Sequence, residues 1–298
     1  MDTSTTAGRC AFLFPGQGTI PSGEPPRTST SGCLLRLAES AGLRLVEWLE
    51  AGARERLATT AVAQPAILID SLAKAEALGV GGWRPAIVAG HSLGEYAALV
   101  TSSVLTAEDA LRIVIERGRR MATVEGGMAA IVKLPPEKVV DICRRAGAGV
   151  VVANRNGPKQ VVISGDRETL TVAMKLAEDA GGRAIPLEVS GPFHSPMMAD
   201  AEDGLRPVIE EVTFREPHVP IISSASGRVE RRGADLRRLL LTQITACVRW
   251  DEVTHALAAA GIEIAVEVGP GEVLTRLGRR ALPGVRFLTF EEATNGGL

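Results

Sequence analysis

The segment Gly90-His91-Ser92-Leu93-Gly94 constrains this chain most. It follows a short apolar run, residues 86–89, and precedes a helical pattern starting near Glu95. A G-x-S-x-G sequence between a strand and a helix makes a sharp turn that exposes the serine hydroxyl. Gly90 and Gly94 leave room for that turn, and the N–H of Leu93 is expected to point toward an oxyanion. A unit of this kind, in 298 residues, suits one large α/β domain or a core with a smaller insertion. Apolar residues make up 45% of the chain and aromatic residues only 3%, so the core must be mostly Ala, Val, Leu and Ile.

Before the elbow, residues 10–14 read as a strand ending in Pro15-Gly16-Gln17-Gly18. Residues 21–31 read as a loop, and helical patterns cover residues 34–49 and 64–78. After the elbow, Thr106 and Asp109 look like a capping box opening a helix to about Thr123. Its apolar face carries Ala110, Ile113, Val114 and Met121, and Arg117 falls on that same stripe. An arginine on an inward face needs an anion or a hydrogen-bonding partner. Arg120, on another face, is placed to pair with Glu116. Residues 127–189 then read as βαββαβ, the ferredoxin-like pattern, with residues 154–158 as a link between two strands. Strand signals return at residues 220–224 and 264–268, and the tail 291–298 reads as polar and frayed.

Other features narrow the class. The net charge is −2 with no long block of one sign, so neither nucleic acid nor an anionic membrane is the expected partner. Residues 1–9 lack the pattern of a signal peptide, and no apolar run approaches a membrane span. Cys10, Cys33, Cys143 and Cys247 are scattered, which argues against a disulfide framework or a bound metal. The expected setting is the cytoplasm.

A serine nucleophile needs a base. Four histidines are available. His91 adjoins Ser92 in the turn and is expected to point away and support the elbow. His255 lies in a helical pattern, and His218 is flanked by residues of a proline-rich loop. His194, in Gly191-Pro192-Phe193-His194-Ser195, lies in a turn between a strand and a helical stretch. It is the favoured candidate base, and no acidic partner for it can be assigned by spacing.

With these motifs in order, the chain resembles malonyl-CoA:acyl carrier protein transacylases and the acyltransferases of polyketide synthases. The resemblance runs from Phe12 to about Phe290. It rests on Phe14-Pro-Gly-Gln-Gly18, Gln64-Pro-Ala, Gly90-His-Ser-Leu-Gly-Glu95, Arg117-Gly118, Gly127-Met-Ala-Ala130, Asn154-Arg-Asn156 with Gln160 to Gly165, Gly191-Pro-Phe-His-Ser195 and Glu267-Val-Gly-Pro-Gly271. It implies Ser92 as nucleophile, His194 as base, and the backbone N–H groups of Gln17 and Leu93 as oxyanion hole. It implies Arg117 as the grip on a malonyl carboxylate. Gln243 resembles the residue whose backbone carbonyl orients the histidine, so its side chain is expected to matter little. Phe193 resembles the residue of malonyl-selecting members, and Ile20 stands where the family commonly has glutamine.

The expected fold is therefore α/β, an α/β-hydrolase-like core (residues 1–125 and 190–298) with an inserted ferredoxin-like subdomain (residues 126–189). The reaction implied moves a malonyl group from malonyl-CoA through an acyl-serine to the phosphopantetheine thiol of a holo acyl carrier protein. It would serve fatty-acid or polyketide synthesis, including as a discrete acyltransferase acting in trans. Coenzyme A enters as a substrate thioester, with no resident cofactor. The alternatives are a carrier-protein thioesterase or editing hydrolase using the same elbow, and an acyltransferase for a different donor.

Overall fold

The computed structural model describes residues 9–296 except 22 and 24. The reading of residues 1–8 as a polar start without a leader, and the final two residues of the polar tail, lie outside the described residues. The chain begins with β1 (Cys10–Phe14), α1 (Ser29–Ser40), α2 (Leu45–Glu50), α3 (Arg54–Ala58), α4 (Thr60–Val80), β2 (Ile87–Gly90), α5 (Gly94–Thr101) and α6 (Ala107–Met121). It continues through β3 (Gly127–Val132), α7 (Pro136–Ala146), β4 (Val150–Gly157), β5 (Gln160–Gly165), α8 (Arg167–Asp179) and β6 (Arg183–Pro186). The last third holds α9 (Ala199–Glu210), β7 (Ile221–Ser223), β8 (Val229–Glu230), α10 (Gly233–Leu241) and α11 (Trp250–Ala259). It ends with β9 (Ile264–Glu267), α12 (Val273–Ala281), β10 (Arg286–Thr289) and α13 (Phe290–Thr294).

Two sheets organise these elements. The larger has the order β10-β9-β1-β2-β7-β8, parallel except for β8. Every residue of β1 and β2 is buried, as expected for parallel strands covered on both faces. Alternation then assigns the faces. Phe12, Phe14, Val88 and Val266 pack with α4, α5 and α6 on one side. Ala11, Leu13, Ile87, Ala89 and Ala265 pack with Trp250, Leu257 and Leu277 on the other. The smaller sheet is antiparallel, in the order β4-β5-β3-β6. Its Ala129, Ile131, Val161 and Ile163 face α7 and α8. Its Met128, Ala130, Ala153 and Val162 face Met121, Phe193, Met198 and Ile244 of the larger layer.

This corrects the expected architecture. The fold is a mixed α/β arrangement with two sheets, not an α/β-hydrolase-like core carrying a ferredoxin-like insert. The G-x-S-x-G motif specifies one local turn and leaves the rest of the sheet open. In the hydrolase arrangement the second oxyanion loop follows the third strand, and an acidic triad member precedes the histidine in the chain. Here the loop against the elbow follows β1, and the histidine ring meets backbone carbonyls. The smaller sheet also shares structure with the larger layer. Arg155 N–H donates to Val248 O (2.8 Å), and Val248 N–H donates to Ala153 O (2.8 Å).

Three local readings change as well. The helical pattern of residues 34–49 is two helices, α1 and α2, separated where Gly42 takes a φ of 86°. Residues 154–157, read as part of a link, belong to β4, whose ladder with β5 shifts register between Val152 and Asn154. The tail read as frayed contains most of α13, opened by a capping box between Thr289 and Glu292.

Candidate active site

The elbow is set by steric exclusion. A Cβ on Gly90 would lie 2.1 Å from Glu95 N, and one on Gly94 would lie 2.0 Å from Phe14 O. Only glycine fits at either position. Between them Ser92 takes a φ of 52°, a left-handed conformation that a non-glycine side chain adopts only under constraint. The turn is fastened by His91 N–H donating to Phe14 O (2.9 Å) and by Gly94 N–H donating to His91 O (3.0 Å). Helix α5 then starts directly behind the serine.

Ser92 Oγ lies 2.7 Å from His194 Nε2. His194 Nδ1 faces two backbone carbonyls, Gln243 O at 3.1 Å and Ala246 O at 2.9 Å. Carbonyl oxygens only accept, so Nδ1 carries the proton, and Nε2 accepts from the serine hydroxyl. His194, like Ser92, has a left-handed backbone (φ 58°), and its N–H donates to Ile244 O (3.0 Å). Burial, and next the neighbouring Arg117 cation, depress its pKa from 6.5 to about 3. The ring is therefore a neutral base at physiological pH.

This depression has a stability consequence. Between about 6.5 and about 3 the unfolded chain binds a proton that the folded protein refuses. The contribution of neutral His194 is whole above the upper bound and falls by about 1.4 kcal/mol per pH unit below it. About 2 kcal/mol is lost near pH 5. Denaturant midpoints of the wild type and His194→Asn at neutral pH and near pH 5 measure it. The variant is expected to lose less on acidification; equal losses would assign the effect to other groups.

Arg117, on α6, is buried with its guanidinium against the serine. Nη2 donates to Ser92 Oγ (3.0 Å) and Gln243 Oε1 (3.4 Å), and Nη1 donates to Gln64 Oε1 (2.5 Å). All three acceptors are neutral oxygens, and Nε has no hydrogen-bond partner. The Tyr96 ring lies 5.7 Å below the guanidinium carbon. Burial lowers the Arg117 pKa. A desolvated cation whose hydrogen bonds end on neutral oxygens, with the Glu95 charge acting on it without a direct bond, is a receptor for an anion.

The Gln243 side chain makes contacts of its own. Its Nε2 donates to Ser92 O (3.0 Å) and Glu95 Oε2 (3.1 Å). Glu95 is buried, and its carboxylate also accepts from Ser223 and from Ser224 (2.8 Å). Burial raises the Glu95 pKa, while these donors pull it back. The amide thus ties the elbow backbone to a buried acid, in addition to the work of its own carbonyl. Gln243→Ala keeps that carbonyl and removes the tie. Its kcat is expected to fall roughly 10- to 100-fold, as for a lost buried hydrogen bond beside a charge. An unchanged kcat in steady-state transfer assays would show that only the carbonyl matters.

The remaining candidates are placed as follows. Gln17 lies in the loop after β1, which rests on the elbow: a Cβ on Gly16 would meet His91 O at 2.7 Å. The N–H groups of Gln17 and Leu93 have no partner among the described residues. Phe193 is buried in the cluster of Met121, Met128, Met198 and Ile244 beside the histidine. His91 turns away from Ser92, its Nε2 2.9 Å from Asn156 Oδ1 and its ring 5.3 Å from that of Trp250. His218 and His255 are not part of this cluster. Ile20 is half-buried against the core. Among the described residues, no group of acids, histidines and cysteines could hold a metal ion.

Sequence reasoning missed the partners that hold the site. Gln64 and Glu95 each stand as a polar residue in an otherwise apolar helical stretch, a signal that was available. The Ala246 carbonyl and the serine pair Ser223 and Ser224 gave none, because their role depends on tertiary placement.

A serine in a strained elbow, a neutral histidine on its hydroxyl and a buried arginine beside both define a serine-dependent acyl-transfer centre. The chain matches the acyl transferase domain family over residues 28–289. It is 39% identical over 283 residues to the malonyl CoA-acyl carrier protein transacylase of Bacillus subtilis, covering 90% of this chain and 89% of that protein. The Escherichia coli K12 protein of the same name is 38% identical over 283 residues, covering 91% and 92%. The crystal structure of the malonyl-CoA:acyl carrier protein transacylase of Xanthomonas oryzae superposes with a TM-score of 0.90 at 33% identity, covering 98% of each chain. The chain belongs to the malonyl-CoA:acyl carrier protein transacylase family of acyl transferases.

Proposed function

We propose that this enzyme takes a malonyl group from malonyl-CoA onto Ser92 and passes it to the phosphopantetheine thiol of a holo acyl carrier protein. The observation that carries the reading is Arg117, a buried guanidinium 3.0 Å from Ser92 Oγ whose hydrogen bonds end on neutral oxygens. A malonyl group has a free carboxylate two carbons from its thioester carbonyl. When that carboxylate sits on Arg117, the carbonyl lies over the serine. The names of the related proteins support the same donor and acceptor.

In the first half-reaction His194 Nε2 takes the Ser92 proton as Oγ bonds to the thioester carbon. The carbonyl electrons move onto oxygen, which leans on the N–H groups of Leu93 and Gln17. Collapse breaks the carbon–sulfur bond, and the departing CoA thiolate takes the proton from the imidazolium. The carboxylate also offsets the Arg117 field, which adds to burial in holding the His194 pKa down. The base is thus strengthened when the correct acyl group is present. In the second half the carrier thiol gives its proton to His194 and attacks the ester. Ser92 leaves and is reprotonated.

A hydrolase would share every step except the identity of the second nucleophile. Partitioning tests this. Malonyl-loaded enzyme is expected to give malonyl-carrier with the holo carrier protein and to keep its ester with the apo form. Release of free malonate at the same rate with either form would favour the hydrolase.

A further inference from the structure

Lys74 is a buried cation that the catalytic cluster does not use. It lies on α4, one turn after Asp70, and its Nζ is 3.1 Å from Asp70 Oδ2. The two side chains are 11% and 8% exposed. Burial raises the Asp70 pKa, and the Lys74 charge pulls it back. A buried ion pair loses much of its hydration, and an apolar pair of similar volume is often as stable or more so. Stability is therefore a weak reason for a lysine and an aspartate here.

The ammonium reaches the loop after β9. Nζ donates to Gly269 O (2.9 Å). Among the described residues, no other hydrogen bond reaches the backbone of residues 269–271. The far end of the loop is fixed separately, where the Glu267 carboxylate accepts from the N–H groups of Leu274 (3.0 Å) and Thr275 (2.7 Å). This loop backs the segment that carries Gln17. A Cβ on Gly269 would lie 2.4 Å from Pro15 Cγ, and one on Gly271 would lie 2.5 Å from Thr19 Oγ1. The strand order β9-β1-β2 puts the loop after β1 between this loop and the elbow. On the elbow side a Cβ on Gly16 would lie 2.7 Å from His91 O. Residues 15–19 are thus clasped from both sides.

Resting on the proposed reaction, in which the Gln17 N–H faces the oxyanion, we infer that Lys74 is a positioning residue for the oxyanion hole. Its bond to Gly269 O seats residues 269–271 against Pro15 and Thr19, and Asp70 keeps the ammonium on that carbonyl. Without the bond, residues 15–19 relax away from Leu93. The hold on the tetrahedral oxygen weakens, and binding of the donor in its ground state is left alone.

The test compares the wild type with two variants. Asp70→Leu, Lys74→Met replaces the pair with apolar side chains; Lys74→Met alone strands a buried Asp70. The double variant is expected to unfold at the wild-type temperature or above it. Its rate of Ser92 acylation in single turnovers should fall roughly tenfold, part of what a lost oxyanion donor costs. The factor should be the same with malonyl-CoA, acetyl-CoA and p-nitrophenyl acetate, because the hole reads the carbonyl oxygen common to all three. Calorimetric affinity for malonyl-CoA, measured with Ser92→Ala added to each background, should not move. Wild-type acylation rates in the double variant, with activity and stability lost together only in Lys74→Met, would overturn the assignment and give Lys74 to stability alone. A loss confined to malonyl-CoA, or a weakened affinity for it, would overturn it too. A wild type acylated on Ser92 by p-nitrophenyl acetate but not by malonyl-CoA would instead refute the proposed reaction, and the p-nitrophenyl acetate rates would still decide the role of Lys74.

Discussion

Ser92→Ala is expected to cut malonyl transfer by on the order of 10⁴-fold or more and to leave no acyl adduct on the protein. The size follows from the arrangement. Only Ser92 Oγ lies 2.7 Å from the bare Nε2 of His194, at the tip of an elbow whose strain exposes it. Without that oxygen the covalent intermediate cannot form, and the remaining groups can only bind the donor. The fold should tolerate the change, because the two glycines and the backbone bonds to Phe14 O and His91 O fasten the turn. Thermal unfolding of the variant checks this. A malonyl adduct appearing at the normal rate on the variant would remove Ser92 from its role.

Arg117→Ala is expected to lower kcat/KM for malonyl-CoA by about 10²- to 10³-fold, the worth of a desolvated charge-assisted pair. Acetyl transfer should change far less. Removing the cation also removes a field that depresses His194, so the base strengthens for any acyl group. The ratio of malonyl to acetyl transfer is therefore the sensitive readout. Arg117→Lys keeps the charge but loses the planar fork, and should recover only part of the malonyl rate. Gln64 loses its donor in the alanine variant, so stability must be measured alongside. Equal losses for both acyl groups would show that Arg117 does not read the carboxylate.

What the sequence disclosed followed physical locality. Ser92 was legible because a strand, two glycines and a helix are contiguous around it. Arg117 was legible because α6 has a regular period, and an arginine on its apolar stripe departs from pattern. The strand-by-strand layout of residues 127–189 came through for the same reason, apart from β4, whose irregular ladder hides its last residues. The assembly was not legible. The G-x-S-x-G turn suggested a hydrolase-like core, but strand order is fixed by packing of distant segments, such as β9 and β10 beside β1. The contacts of the Gln243 side chain were not legible, because they lie on Glu95 and Ser92 O, 148 and 151 residues away in sequence. Nothing in the local pattern around Gln243 points to them.

The central claim is that Ser92 carries a malonyl ester selected by its carboxylate. Intact-protein mass spectrometry after mixing the wild type with malonyl-CoA and acetyl-CoA together, followed by peptide mapping, tests it most directly. One malonyl group on the peptide containing Ser92, with little acetyl, and its removal by holo carrier protein is the predicted result. An adduct on another residue, or acetyl taken up as readily as malonyl, would contradict it.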